Sequence, residues 1–312
     1  MERQLENKIV LVTRRTRLDD LLARFNTVSQ AQFYIEHLGA DFSDYVREHE
    51  RYRATVAAAT ALLQAFGRLQ ILDRSFLPTY IFGKQDVIVV LGQDGLVANT
   101  VKYSSGQTII GVNPDPERWD GVLLPFRVPD LAKIVPEVFA GKRATKQVTM
   151  AKARLNTGQT LYAVNDLFIG VKSHGSARYT IHAGATEERH SSSGVIVSTG
   201  LGSTGWLTSL LTGAVAIATH VTAQPLTFPA PPGFAWNADY LYYTVREPFP
   251  SKTSTATLVF GKITPAQPLA LVSLMAEGGV IFSDGIENDF LEFNSGTRAE
   301  ITLAERKGCL AI

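Results

Sequence analysis

The chain has 312 residues, with 30 Lys and Arg against 29 Asp and Glu; the resulting charge of +1 supplies no global field for nucleic acid or an anionic membrane. This length is enough for two domains, or one large one, with a substantial core. A lone cysteine, Cys309, excludes an internal disulfide and a cysteine-built zinc site, and fits a reducing cytoplasm. The opening MERQLENKIVLVTRRTR is charged from its second residue, and its apolar run, Ile9 to Val12, is too short for the core of an export signal.

In chain order, Lys8 to Thr13 predicts a first strand. Ser29 followed by Gln32 opens a short helix that buries Ala31, Ile35 and Leu38 and ends at Gly39. Apolar residues at three- and four-residue steps, from Phe42 through Tyr45, His49, Tyr52, Val56, Ala59 and Leu63 to Phe66, predict a long helix capped by Gly67. His49 lies on that stripe and reads as a packed, hydrogen-bonded histidine rather than a ligand. Leu69 to Leu72, Val87 to Leu91 and Thr108 to Val112 predict three more strands, with a helix after Asp94 between the last two. This is an α/β unit of the doubly wound, Rossmann or flavodoxin-like kind, built on a parallel sheet. A turn-rich loop from Asn113 to Gly121 and a short strand from Val122 to Phe126 lead to a boundary near Arg127 to Asp130. The expected domains are 1–128 and 129–312, with the C-terminal segment free to return to the first.

The second half reads as β-rich. Val148 to Leu155 and Gln159 to Val164 flank Asn156-Thr157-Gly158, a hairpin signal. Further strands are expected at Leu167 to Val171, through Tyr179, Ile181 and Ala183, and at Val195 to Ser198. Later ones fall at Tyr240 to Val245, Ala256 to Gly261, Leu269 to Leu274, Gly279 to Phe282 and Ala299 to Leu303. The apolar stretch from Trp206 to Ala218 reads as a buried helix, short of the roughly 20 residues of a membrane span. Pro225 to Gly233 reads as a surface loop.

The stretch VIVVLGQDGLVANT, Val87 to Thr100, carries the first chemistry. Five apolar residues without alternation suit a central strand covered on both faces, which would carry Asp94 to the edge where α/β sheets bind ligands. Gly92 and Gly95 allow close backbone approach or positive φ, and the helix start presents amides to an anion such as phosphate. Asp94 reads equally as a helix cap. Gly200, Gly202 and Gly205 match G-x-G-x-x-G, yet no acid follows at the spacing of a dinucleotide fingerprint and the surroundings are β-rich. No P-loop motif is present. His174, His182 and His190 recur every eight residues, which matches no compact metal-ligand set. Asn165 and Asp166, in VNDLFIG, present an amide and a carboxylate at a strand end, suited to ribose hydroxyls and a base edge or to a plain turn.

Together and in this order the pieces resemble the NAD kinase family, within the superfamily that includes diacylglycerol and sphingosine kinases. GQDG at Gly92 to Gly95 is similar to its GGDG, Asn165-Asp166 to its Asn-Glu pair, and the run from Ser198 to Trp206 to its S-T-P-T-G-S-T-A-Y. The likeness is strongest to the mitochondrial type, at Gly111 to Arg118 with its Asp-Pro-Glu-Arg run, Asn165 to Gly170, Ser192 to Gly194 and Val245 to Pro248. The resemblance implies an α/β domain followed by a β-rich one, with the nucleotide between them, and Mg²⁺-assisted transfer of the ATP γ-phosphoryl group to the 2′-hydroxyl of the adenosine ribose of NAD. It assigns Asp94 to the acceptor hydroxyl, Gly92, Gln93 and Gly95 to the phosphate cradle, and Asn165 with Asp166 to ribose and adenine. Thr199, Ser203 and Thr204 place hydroxyls beside the base, with Gly205 and Trp206 standing where the family has a small residue and an aromatic. A cytoplasmic homodimer or larger assembly is implied, with NAD and ATP as partners. Gln93 stands where the family has glycine and Leu96 where it has threonine or asparagine, which leaves open a related kinase with a lipid or sugar acceptor. A non-catalytic NAD(P)-binding regulator is the reading from another class.

Overall fold

A computed structural model describes residues 8–227 and 233–312. The proline-rich loop expected from Pro225 to Gly233 therefore lies largely outside the described residues. The chain divides into two compact units, 1–146 with 308–312, and 147–307.

The first unit is an α/β layer structure. Strands β1 (Lys8–Thr13), β2 (Arg68–Asp73), β3 (Val87–Leu91) and β4 (Thr108–Val112) pair in the order β2-β1-β3-β4, all parallel. Every residue of β3 is buried, which is why its sequence shows no period-two alternation. Helices α1 (Arg17–Phe25), α2 (Val28–His37), α3 (Phe42–Leu63), α4 (Asp94–Tyr103) and α5 (Leu131–Phe139) complete the unit. Tyr52, Ala59 and Leu63 of α3 and Leu131 and Ile134 of α5 pack with Ile9, Leu11, Val87, Val89 and Leu91 of the sheet. The Tyr52 hydroxyl donates to Leu91 O at 2.9 Å and accepts from Arg14 N at 2.9 Å, tying α3 to the carboxyl ends of β3 and β1. Burial pushes this phenol up to about 12.

Several elements differ from the sequence reading. Helix α1 was not foreseen; a capping box joins Thr16 and Asp19 at its start. Leu38 lies just beyond α2 and is exposed. Helix α3 ends at Leu63 with Gln64 as its cap, so Gly67 does not cap it. His49, by contrast, is hydrogen-bonded as the sequence reading has it, to the Thr16 hydroxyl at 2.8 Å. The run from Val122 to Phe126 is not a strand: only Phe126 bridges to Val112. The break between units falls after α5, because Leu131 and Val135 belong to the first core.

The second unit is a β-sandwich. One sheet holds β5 (Thr145–Leu155), β6 (Thr160–Ala163), β8 (Ala177–Ala183), β9 (Thr186–Ser192), β13 (Leu269–Ser273) and the first part of β16 (Arg298–Ala311). The other runs β12-β11-β10-β7-β14-β15, where β7 is Asp166–Val171, β10 Val195–Ser198, β11 Leu241–Val245, β12 Phe260–Ile263, β14 Gly279–Ser283 and β15 Ile286–Glu292. Tyr179, Ile181, Leu269 and Leu271 of the first sheet meet Leu167, Ile169, Val195, Val197 and Ile281 of the second in one core. Gly158, with φ +90°, closes the β5–β6 hairpin. The end of β16 leaves this unit: Cys309 and Leu310 pair with Thr108 and Ile109 of β4.

Helix α6 (Trp206–Thr222) overturns the expectation of burial. Only Leu207 is buried, while Ile217 and Val221 are 67% and 77% exposed. Apolar composition alone led to the burial reading; along most of its length the described residues supply no covering layer. No helix among them is long and apolar enough to cross a membrane.

Candidate functional site

Beyond the carboxyl end of β3 the chain turns through Gly92 and Gln93 into α4. Gln93 is the N-cap residue but makes no side-chain capping bond. Asp94, the first helical residue, does not cap α4 either. Its Oδ1 accepts from Leu123 N at 2.8 Å and its Oδ2 from Val122 N at 3.2 Å, so its orientation is set by the loop that follows β4. Neither Gly92 nor Gly95 has positive φ, which leaves close approach as their use. A Cβ at Gly92 would lie 2.7 Å from Leu96 Cδ2, so a side chain here would require the Leu96 tip to move. A Cβ at Gly95 would meet nothing within 4 Å, and the turn is open there. An aspartate and free space at a helix N-terminus suit phosphate chemistry, because the helix dipole and the first amides favour negative charge.

In the second unit the Val164–Asp166 loop is held from two directions. Thr199 Oγ1 donates to Val164 O at 2.5 Å and Thr199 N donates to Asn165 O at 3.0 Å. On the other side the Asp284 carboxylate accepts from Val164 N (3.0 Å), Asn165 N (2.6 Å) and Asp166 N (3.3 Å). Asp284 takes φ +54°, in the turn between β14 and β15. Gly202 is pressed onto the same loop; a Cβ there would lie 2.3 Å from Asn165 O. Thr199 and Ser203 are fully buried, and their hydroxyls bond Val164 O and, at 2.7 Å, Gly200 O. Thr199 thus holds the Val164–Asp166 loop and Ser203 the turn at Gly200, whereas Thr204, Gly205 and Trp206 are exposed.

Asn165, Asp166, Phe168, Trp206, Arg246 and Phe282 line a pocket of about 430 Å³. Phe168 stacks on Trp206 at 6.1 Å and on Phe282 at 6.2 Å, and the Arg246 guanidinium lies 5.6 Å from the Trp206 ring. Burial raises the Asp166 carboxyl to about 7; the Ser198 hydroxyl opposes this and the Asp284 charge adds to it. Asp166 Oδ1 is buried without a hydrogen-bond partner, a costly arrangement that a donor from a ligand would relieve. A flat aromatic wall beside an amide, a carboxyl and a guanidinium can hold a ring and sugar hydroxyls.

The structure thus gathers the predicted residues into two sets. Gly92 to Gly95 stand together in the first unit, and Asn165, Asp166 and the 199–206 segment in the second. The three histidines do not assemble: His182 lies 3.5 Å from Glu187, while His190, buried, bonds Glu188 at 2.8 Å.

No family model matches the sequence, and no curated protein matches it. Among solved structures, the chain resembles an NAD kinase from Archaeoglobus fulgidus, determined in complex with ATP. The TM-score is 0.56 at 12% identity, covering 98% of this chain and 93% of that one. Yeast NADH kinase, determined with NADH, gives a TM-score of 0.55 at 14% identity, over 98% and 83% of the two chains. The fold is that of the NAD kinases.

Within this NAD kinase fold three contributors were missed by sequence reasoning. The Val122 and Leu123 amides act through the backbone, which leaves no residue-type signal. Asp284 follows the strand expected at Gly279 to Phe282 and was not singled out, since an Asp-Gly pair there has only the composition of a turn. Arg246 lies in a run singled out for its resemblance, but nothing in that run indicated stacking on Trp206.

Proposed function

We propose that this chain transfers the γ-phosphoryl group of ATP to the 2′-hydroxyl of the adenosine ribose of NAD, giving NADP. The observation that carries the reading is Asp94, at the N-terminus of α4, with its carboxylate aimed by two amides instead of spent on capping the helix. Phosphoryl transfer asks mainly for positioning and charge neutralisation. In this reading Asp94 orients or deprotonates the acceptor hydroxyl, and Gly92, Gln93 and Gly95 cradle phosphate oxygens. Asn165 and Asp166 hold ribose and adenine, with Thr204, Gly205 and Trp206 beside the base, Thr199 supporting the loop and Ser203 the turn at Gly200.

Among the described residues no three His, Cys, Asp or Glu side chains gather as a metal site. The residues fit Mg²⁺ carried by the nucleotide phosphates, and no protein ligand to it is assigned. The Asp115-Pro-Glu-Arg118 run supports a mitochondrial-type subgroup, the single buried Cys309 a reducing cytoplasm, and the bare apolar length of α6 a homodimer or larger assembly.

Pure protein with ATP, Mg²⁺ and NAD should form NADP, and Asp94→Asn should lower kcat by about 10²- to 10⁴-fold. Unchanged turnover in Asp94→Asn removes the assignment of that residue. Turnover only with a lipid or sugar acceptor, or calorimetric binding of NADP with no turnover at all, replaces the reading with a related kinase or a regulator.

A further inference from the structure

The Asp115-Pro-Glu-Arg118 run lies apart from the phosphate turn, yet it belongs to the loop that orients Asp94. That loop is anchored at three levels. At its base, Asn113 N donates to Phe126 O at 2.8 Å, and a Cβ on Gly111 would lie 1.9 Å from Leu123 O, so the returning segment rests directly on β4. In the middle, Asn113 Oδ1 accepts from Asp115 N at 3.0 Å and Asn113 Nδ2 donates to Trp119 O at 2.8 Å. Gly121, at φ +65°, then turns the chain so that the next two amides face Asp94.

At its outer end the loop is fastened to α3 by charge. Arg118 meets Asp44 through both terminal nitrogens, one at 3.1 Å. Asp115 and Glu117 meet Arg51 at 3.0 and 2.7 Å. Asp44 also accepts from Arg17 at 2.7 Å, and the two guanidiniums hold its carboxyl far below the usual carboxylate range. The acids facing Arg118 are Asp44, Glu48 at 3.9 Å and Asp115 at 3.8 Å. Pairs this exposed add little to global stability. Two bidentate or shared arginine grips do fix the direction of a loop, because the guanidinium fork is rigid.

We propose that Arg118, gripping Asp44 at the start of α3, is a positioning residue for Asp94, acting through the loop whose Val122 and Leu123 amides aim that carboxylate. The proposal rests on the reading of Asp94 as the acting acid. A misplacement of about 1 Å at a reacting group costs on the order of 10²-fold in rate, so loss of the grip should appear in kcat, not in nucleotide affinity.

The test pairs steady-state kinetics with hydrogen exchange at the Val122 and Leu123 amides. Arg118→Ala should lower kcat about 10- to 100-fold with KM for NAD within about twofold. The same variant should speed exchange at both amides about tenfold as the loop opens more often. Arg118→Lys keeps the charge without the fork and should recover part of both; it also serves if Arg118→Ala fails to fold. Arg53→Ala, also on α3, cuts the 2.9 Å pair to Asp19 of α1 without touching the loop, and should leave kcat and exchange unchanged. A folded Arg118→Ala with wild-type kcat and wild-type exchange overturns the proposal, as does an equal loss in Arg53→Ala. If the wild type forms no NADP, the functional reading falls, while the exchange data still decide whether Arg118 holds the loop on Asp94.

Discussion

Replacing Asp284 with glycine removes a carboxylate that accepts from Val164 N, Asn165 N and Asp166 N at 3.0, 2.6 and 3.3 Å. A hydrogen bond to a charged group is worth about 1.5–3 kcal/mol net. The three donors share largely one oxygen, Oδ1, so the set counts for about two independent bonds, or roughly 3–6 kcal/mol. Glycine also relieves the left-handed backbone at φ +54°, returning about 1 kcal/mol. The expected net loss is about 2–5 kcal/mol, which at roughly 2–4 °C per kcal/mol lowers Tm by about 4–20 °C. Asp284→Asn keeps an acceptor oxygen and a residue that tolerates this backbone, and should lose about half as much. Calorimetric melting of the three proteins measures the stability terms, and titration with NAD at a fixed temperature should show weaker binding in Asp284→Gly. A glycine variant melting at or above the wild type would mean that backbone strain outweighs the carboxylate, and the loop would then have no anchor at Asp284.

Asp166 has a folded pKa of about 7, raised above its unfolded value, so the folded state retains a proton that the unfolded chain releases. Its contribution to stability therefore falls as pH rises from about 4 to about 7 and is level above; in melting curves across that range Asp166→Asn should flatten the decline, and an unchanged pH slope would refute the burial argument. Glu48, 5% exposed, lies between Arg14 at 2.9 Å and Arg17. Glu48→Ala leaves two guanidiniums facing each other and should cost about 2–3 kcal/mol in urea denaturation, less than a fully buried pair because Arg17 is partly in water; a loss below about 0.5 kcal/mol would show the pair is dispensable. Charging the bare face of α6 with the double change Ile217→Glu and Val221→Glu should convert an assembly to monomers in sedimentation equilibrium, since apolar faces of this kind mark association surfaces; a wild type that is itself monomeric at micromolar concentration contradicts that use of the helix.

Elements whose physics is local were the legible ones. Strands β1, β3, β4 and β10 are continuous apolar runs between polar or glycine residues, and their bounds coincide with the sequence reading. Helix α1 was hidden because Asp19 takes the capping-box position normally held by glutamate or glutamine, and because its N-cap Thr16 comes directly after the Arg14-Arg15 pair. The run from Val122 to Phe126 has strand composition, but its backbone is committed to Gly111 and to Asp94 and cannot form a ladder. Burial of α6 was inferred from apolarity, which reports what a helix could cover and not whether a neighbour exists. In the site, the residues bearing the resemblance were all visible. Asp284 was not, because its partners lie about 120 positions away, at Val164 to Asp166, and nothing in Ser283-Asp284-Gly285 distinguishes an anchor from a turn.

Gly111 sits inside a strand, where a glycine ordinarily weakens the ladder. Here the missing side chain lets Leu123 O settle against β4, and the neighbouring amide nitrogen is the one that reaches Asp94. The acid is thereby gauged against the next strand of the sheet and not against the helix that it heads. One added methyl group at position 111, buried in β4, would be transmitted as a displacement of the carboxylate itself.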